Sequence, residues 1–180
     1  PSAHDARQSA GDPGNPRQRR HPHEGVDPGA LKVFNYKDGV LTNEVSIAPN
    51  GGKEFGPRHL DFHPTKPWIY VSIETQNEMY MYRIEKGGIN PEIAYRSETL
   101  AEPNNIRARQ AAGTVHVHPN GQFVYGANRA EATIEFQGKQ VFKGGENSIV
   151  VYEINQSNGE PIPIQHIETQ QIHPRTFHID

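Results

Sequence analysis

Cysteine is absent from this 180-residue chain, which excludes disulfides, thiolate metal sites and cysteine nucleophiles together. It does not choose a compartment. Long apolar runs are lacking too. The longest, such as Trp68-Ile-Tyr-Val71, reach only four residues, far short of the roughly 20 that a membrane-spanning helix needs. Core material is scarce, with 33% hydrophobic residues, one Trp and two Met. Neither sign of charge dominates: 18 basic residues face 21 acidic ones for a net charge of −3, so nothing draws the chain to nucleic acid or to an anionic membrane. Turn formers are what the sequence has in excess. Its 17 Gly and 15 Pro make about 18% of the chain, against roughly 12% in an average protein. That composition argues against a helical bundle. The opening residues Pro1-Ser-Ala-His-Asp carry neither Met nor an apolar stretch, so no signal peptide is expected there, and sequence beyond either end is expected.

Residues 1–29 differ from the rest. They hold nine Gly or Pro and only Ala3, Ala6, Ala10 and Val26 from the hydrophobic set, a composition expected to stay disordered or to form a long loop. The run Arg17-Gln-Arg-Arg20 inside it reads as a solvated charged stretch. From Ala30 onward short alternating segments take over. Leu31-Lys-Val-Phe-Asn-Tyr36 runs into the turn Lys37-Asp-Gly39, a strand with a hairpin signal. Segments 67–73, 78–84, 122–125, 148–154 and 163–167 read as further strands. No window of helical length keeps a 3.6-residue period, and residues 103–112 read as a loop. The chain is all-β.

Internal repetition decides the architecture. His63-Pro-Thr-Lys-Pro-Trp-Ile-Tyr returns 55 residues later as His118-Pro-Asn-Gly-Gln-Phe-Val-Tyr. Asn77-Glu-Met-Tyr-Met-Tyr-Arg-Ile84 returns as Asn147-Ser-Ile-Val-Val-Tyr-Glu-Ile154 with an offset of 70. The difference places an insertion between Arg129 and Asn147. Residues 131–146 within it read as an added β-hairpin, and Gly144-Gly145, standing before a strand rather than a helix, as a hairpin turn. His173-Pro-Arg-Thr-Phe echoes Gly56-Pro-Arg-His-Leu60 and opens a third copy. Leu31 to Tyr36 matches Met79 to Ile84, so part of a copy precedes the first. Each copy has an entry strand (58–62, 114–117), an x-Pro turn and three more strands, the order of a four-stranded propeller blade. We therefore expect residues 30–180 to be a partial β-propeller. Its blades fall near 30–55 (partial), 56–111, 112–172 and 173–180 (partial). Two complete copies cannot close a ring, and alone such a chain is expected to melt poorly or to associate through open faces.

Candidate site residues follow from the repeat. Glu74 ends the second strand of one copy, and Arg129 holds the equivalent place in the next. Equivalent positions of adjacent blades lie close at the same depth of the ring. The entry motif adds Arg58 and, from the third copy, Arg175. One acid among several cations suits a carboxylated or polyanionic substrate; inter-blade salt bridges are the alternative reading. His116 is a candidate cleft-lining group. His63 and His118 occupy turn positions of the repeat and read as structural, and with no third ligand at fixed spacing no metal site is expected.

Gly56-Pro-Arg-His-Leu-Asp-Phe-His-Pro64, Val71-Ser-Ile-Glu74, Val115-His-Val-His-Pro-Asn-Gly-Gln-Phe-Val-Tyr125, Asn128-Arg129 and His173-Pro-Arg175 together resemble the seven-bladed propeller lactonase family. That family includes propeller-type 6-phosphogluconolactonases and fungal carboxymuconate cyclases. The resemblance runs from about Ala30 to Asp180 and implies a ring about twice this length, cut here in mid-blade. It implies a lactonase acting on a sugar-acid lactone such as 6-phosphogluconolactone, with Glu74 as general base. Arg58 and Arg129 would hold the anionic group and the oxyanion, while Arg175 and His116 would contact substrate. The alternatives are a carboxymuconate-type cycloisomerase and a non-catalytic binding propeller. No cofactor is implied, and the partner is a small lactone or carboxylated molecule rather than nucleic acid or membrane. The oligomeric state is left open. A cytoplasmic location follows, with the periplasm as the alternative. The family carries a His upstream of its Pro-Arg motif. His21-Pro-His23 stands upstream here, but no strand-like text separates His23 from Ala30, so that match is read as chance.

Overall fold

The computed structural model describes residues 29–180. The charged stretch 17–20 and the histidines at 21 and 23 lie outside the described residues. Thirteen strands follow one another. β1 (Leu31–Lys37) and β2 (Val40–Ile47) form a hairpin. Its two-residue turn, Asp38 and Gly39, has positive φ at both positions, the geometry that matches the twist of paired strands. Next come β3 (Pro57–Phe62), β4 (Trp68–Ile73), β5 (Glu78–Glu85), the two-residue β6 (Gly88–Ile89) and β7 (Tyr95–Glu98). They make one antiparallel sheet in which β3, β4, β5 and β7 lie in order and β6 folds back on the end of β5. β8 (Ala111–Val117), β9 (Phe123–Arg129), β12 (Ser148–Ile154) and β13 (Pro161–Glu168) make the second sheet. Between β9 and β12, β10 (Thr133–Phe136) and β11 (Lys139–Phe142) form a separate hairpin. It is the insertion expected from the offset of the repeats. Its turn is Gln137 and Gly138, both at positive φ. Gly144 and Gly145 lie instead on the return to β12, a correction to their reading as a hairpin turn. Gly145, at φ +141°, runs so close to Ala130 that a side chain would collide with it.

The two sheets are consecutive blades. Innermost β3 lies against innermost β8, and outermost β7 against outermost β13. Strand alternation explains how the middle of the first blade is buried on both sides. All six residues of β4 are buried. Trp68 and Tyr70, with Met79 and Met81 of β5, face the second blade and meet Val115, Val117, Val124, Val150, Tyr152 and Ile154. Ile69, Val71 and Ile73, with Tyr80 and Tyr82, turn the other way onto Leu31, Ile47 and Phe55. The β1–β2 hairpin thus occupies the outer half of a preceding blade. Apolar side chains at the two ends of the arc remain exposed, among them Leu60 and Phe62 on β3 and Ile162 and Ile164 on β13. Among the described residues no helix is long and apolar enough to cross a membrane.

Polar ties lock the blades at fixed depth. The Tyr70 hydroxyl donates to the Gly159 carbonyl at 2.9 Å and the Tyr152 hydroxyl to that of Glu98 at 2.8 Å, each reaching into the other blade. Asp61 Oδ2 on β3 accepts from the Val117 N–H on β8 at 2.8 Å. His63 serves its own turn: Nδ1 accepts from the Thr65 and Lys66 N–H groups and Nε2 meets the Gly121 carbonyl. His118 accepts from the Asn120 N–H in the same way. Burial has pushed Tyr70 and Tyr152 far above the usual phenol range, so both stay donors. Replacing Tyr70 with Phe keeps the ring and strands the Gly159 carbonyl. We expect a loss of about 1–2 kcal/mol in a urea melt; an unchanged midpoint would remove this tie from the account of blade docking.

Candidate active site

Glu74 is the first residue after β4, and its backbone is clamped from two sides. Its N–H donates to the Gly56 carbonyl at 2.7 Å, and its carbonyl accepts from the Ala112 N–H of β8 at 2.9 Å. The carboxylate is thereby held at the junction of the two blades. Arg58, the second residue of β3, donates from Nη1 to Glu74 Oε1 at 3.0 Å. Arg129, the last residue of β9, donates from Nη2 to the same oxygen. The side chain of Arg129 is 8% exposed, that of Arg58 19% and that of Glu74 32%, so the anion is the most accessible of the three. Both bonds fall on Oε1. Among the described residues Oε2 is left for water or substrate. The expectation from repeat spacing, a carboxylate and a guanidinium meeting across adjacent blades, is thus present as an ion pair, and Arg58 joins it from the entry strand.

Burial and the neighbouring Arg58 charge pull the Arg129 pKa down from the ordinary guanidinium value, against the opposing influence of Glu74. Arg58 Nε and Arg129 Nε are buried without a partner among the described residues, so donation to a ligand falls to the terminal Nη groups. The other residues singled out from sequence stand around this trio. Arg175 is exposed, and its charge acts on Arg129. Its carbonyl accepts from Thr114 Oγ1 of β8 at 2.6 Å, which lays the start of the third copy along the inner edge of the second blade. His116, also on β8, has Nδ1 3.8 Å from Asp61 Oδ2 and its ring edge-on to Phe177 at 4.9 Å. Neither Arg175 nor His116 touches the Glu74 carboxylate among the described residues.

Two participants escaped sequence reasoning. His173 Nε2 lies 2.7 Å from Arg129 Nη1, and its Nδ1 lies 3.4 Å from Glu131 Oε2. Glu131 also pairs with Arg109. His173 was visible only as the residue before a repeated Pro-Arg motif, where the first copy has Gly56, and Glu131 only as the start of the insertion. Among the described residues no three His, Asp or Glu side chains cluster as a metal site would require.

The arrangement is a positively biased cluster at the junction of the two blades, with one accessible carboxylate held between guanidiniums. Such a cluster can bind an anion and can orient water beside it. The family model for the lactonase with a seven-bladed β-propeller matches residues 25–180. This chain belongs to that family. Among the lactonase relatives, the 6-phosphogluconolactonase of Bacillus subtilis is 33% identical over 159 residues, covering 86% of this chain and 40% of its own length. That of Formosa agariphila is 30% identical over 128 residues, 69% of this chain and 30% of its own. The solved structure of the periplasmic gluconolactonase of Pseudomonas aeruginosa shares the fold, with a TM-score of 0.59 at 21% identity over 81% of this chain and 37% of that one. The chain thus spans at most about two-fifths of the length of these lactonase relatives. Its two four-stranded blades and one outer hairpin are part of the seven-bladed ring.

Proposed function

We propose that the full-length protein hydrolyses an anionic sugar-acid lactone, with 6-phosphogluconolactone as the leading substrate. The observation that carries this reading is the Glu74 carboxylate, held by two arginines with further positive charge from Arg175 beside them. Two curated relatives named as 6-phosphogluconolactonases support it. In the reaction, water adds to the lactone carbonyl, the ring C–O bond breaks, and the released alkoxide takes up a proton. Glu74 Oε2 directs the water and accepts its proton. Arg58 and Arg129 offer their spare N–H donors to the carbonyl oxygen as it becomes an oxyanion. Arg175 receives the phosphate at the edge of the cluster. We assign the enzyme to the cytoplasm; the periplasmic location of the Pseudomonas aeruginosa relative makes the periplasm the alternative.

Charge recognition is testable with paired substrates. The full-length protein should hydrolyse 6-phosphogluconolactone with a KM about tenfold or more below that for the unphosphorylated lactone, a difference of about 1.4 kcal/mol. Replacing Arg175 with Gln should narrow that gap. Equal KM values for the two lactones would overturn phosphate recognition. Cyclisation of a carboxymuconate in place of lactone hydrolysis would move the chain to the cycloisomerase branch.

A further inference from the structure

His173 is held with unusual care for a residue that ordinary packing would leave free. Its φ of 59° puts a non-glycine residue in the left-handed region, directly before Pro174, where the backbone normally prefers extended geometry. Such strain persists only where surrounding contacts fix it. Here one buried amide does so: Asn147 Oδ1 accepts from the His173 N–H at 2.9 Å and from the Ala130 N–H at 2.8 Å. A single atom therefore sets the backbone of His173 and the backbone just after Arg129. The side chains then meet. Nε2 stands 2.7 Å from Arg129 Nη1, and since a guanidinium only donates, Nε2 must be the acceptor and the ring proton must sit on Nδ1, which is buried without a hydrogen-bond partner among the described residues.

We infer that His173 is a positioning residue for Arg129: its neutral ring, set by the backbone that Asn147 fixes, accepts from Nη1 and so aims Nη2 at Glu74 and the substrate. The series His173, Arg129, Glu74, Arg58 is continuous in hydrogen bonds, and Glu131, paired with Arg109, stands 3.4 Å from Nδ1 at its outer end, so the foot of the inserted hairpin abuts the cluster. This inference rests on the lactonase reading for its kinetic consequences but not for its geometry. A protonated ring has two donors and cannot accept from a guanidinium. Protonation of His173 therefore breaks the bond and turns the imidazolium toward Glu131. The groups facing the ring are Arg129 from the end of β9, Glu131 from the start of the insertion, Arg58 from β3 and Arg175 from its own segment. Burial comes first, and the three arginines add to it, in holding His173 below the ordinary histidine value, with Glu131 opposing. The neutral, accepting form thus prevails at neutral pH and is lost as the pH falls below the ordinary histidine range.

The test uses the full-length protein. His173→Leu should lower kcat/KM for lactone hydrolysis about 10–100-fold while shifting the melting temperature little. His173→Gln, whose amide oxygen can take the place of Nε2, should recover most of that loss and shift the acid limb of the kcat/KM profile to lower pH. An acid limb that does not move in His173→Gln would overturn the inference, as would an unchanged kcat/KM in His173→Leu. A second readout needs no turnover. In histidine-labelled protein the His173 resonance should titrate below the ordinary value, and Arg129→Gln should move that titration upward. No movement would overturn the inference. Absence of lactone hydrolysis in the wild type would instead count against the proposed reaction and leave the titration as the deciding result.

Discussion

Replacing Glu74 with Gln in the full-length protein should lower kcat for lactone hydrolysis about 10²–10⁴-fold, the usual worth of a positioned general base. KM for the phosphorylated lactone should fall at the same time. The reason is the sharing of Oε1: Arg58 and Arg129 both spend a donor on the Glu74 carboxylate, and a neutral amide no longer competes with the substrate for their charge. A lower kcat with a lower KM separates this arrangement from a merely structural ion pair, whose loss would loosen both arginines and raise KM. Normal kcat in Glu74→Gln would contradict the assignment of the base.

The second large effect concerns stability. Trp68 is the only Trp in the chain and is buried where the two blades meet. Its ring lies edge-on to His63 at 5.1 Å and under Gly159, where an added Cβ would come within 2.7 Å of Trp68 Cδ2. Gly159, at φ +85°, is also the acceptor for the Tyr70 hydroxyl. Trp68→Ala therefore empties the blade interface and undercuts a turn that a polar tie depends on. We expect a loss of about 3–5 kcal/mol in urea or thermal unfolding of the full-length protein. Trp68→Phe, which keeps a ring in place, should cost less than half of that. Equal losses for the two variants would contradict this, showing that a ring in that place is not enough to hold the blades together.

Much of this was legible in the sequence because a propeller is periodic. The offsets of 55 and 70 between copies correspond to two four-stranded blades and to a hairpin inserted between β9 and β12. The same periodicity made Glu74 and Arg129 candidates for contact, since equivalent strand ends of neighbouring blades sit at one depth. Arg58 came from the entry motif. What periodicity does not encode is contact made by departures from the repeat. His173 reaches Arg129 only because its backbone takes a left-handed conformation pinned by Asn147. Glu131 lies in the segment the other copy lacks. Arg175 shows the converse: it matches the Pro-Arg motif in sequence, yet its side chain is exposed and its carbonyl makes the tie to Thr114. The turn at Gly144-Gly145 was misassigned for a local reason. Paired glycines mark close approach as readily as they mark a hairpin, and here Ala130 is what Gly145 must clear.

Initial-rate hydrolysis of 6-phosphogluconolactone by the full-length protein, with spontaneous ring opening subtracted, tests the Glu74–arginine cluster most directly. Saturable release of acid well above the spontaneous rate, inhibited by inorganic phosphate, is the expected result. A rate equal to the spontaneous one at neutral pH, with the protein folded by its melting curve, would contradict it.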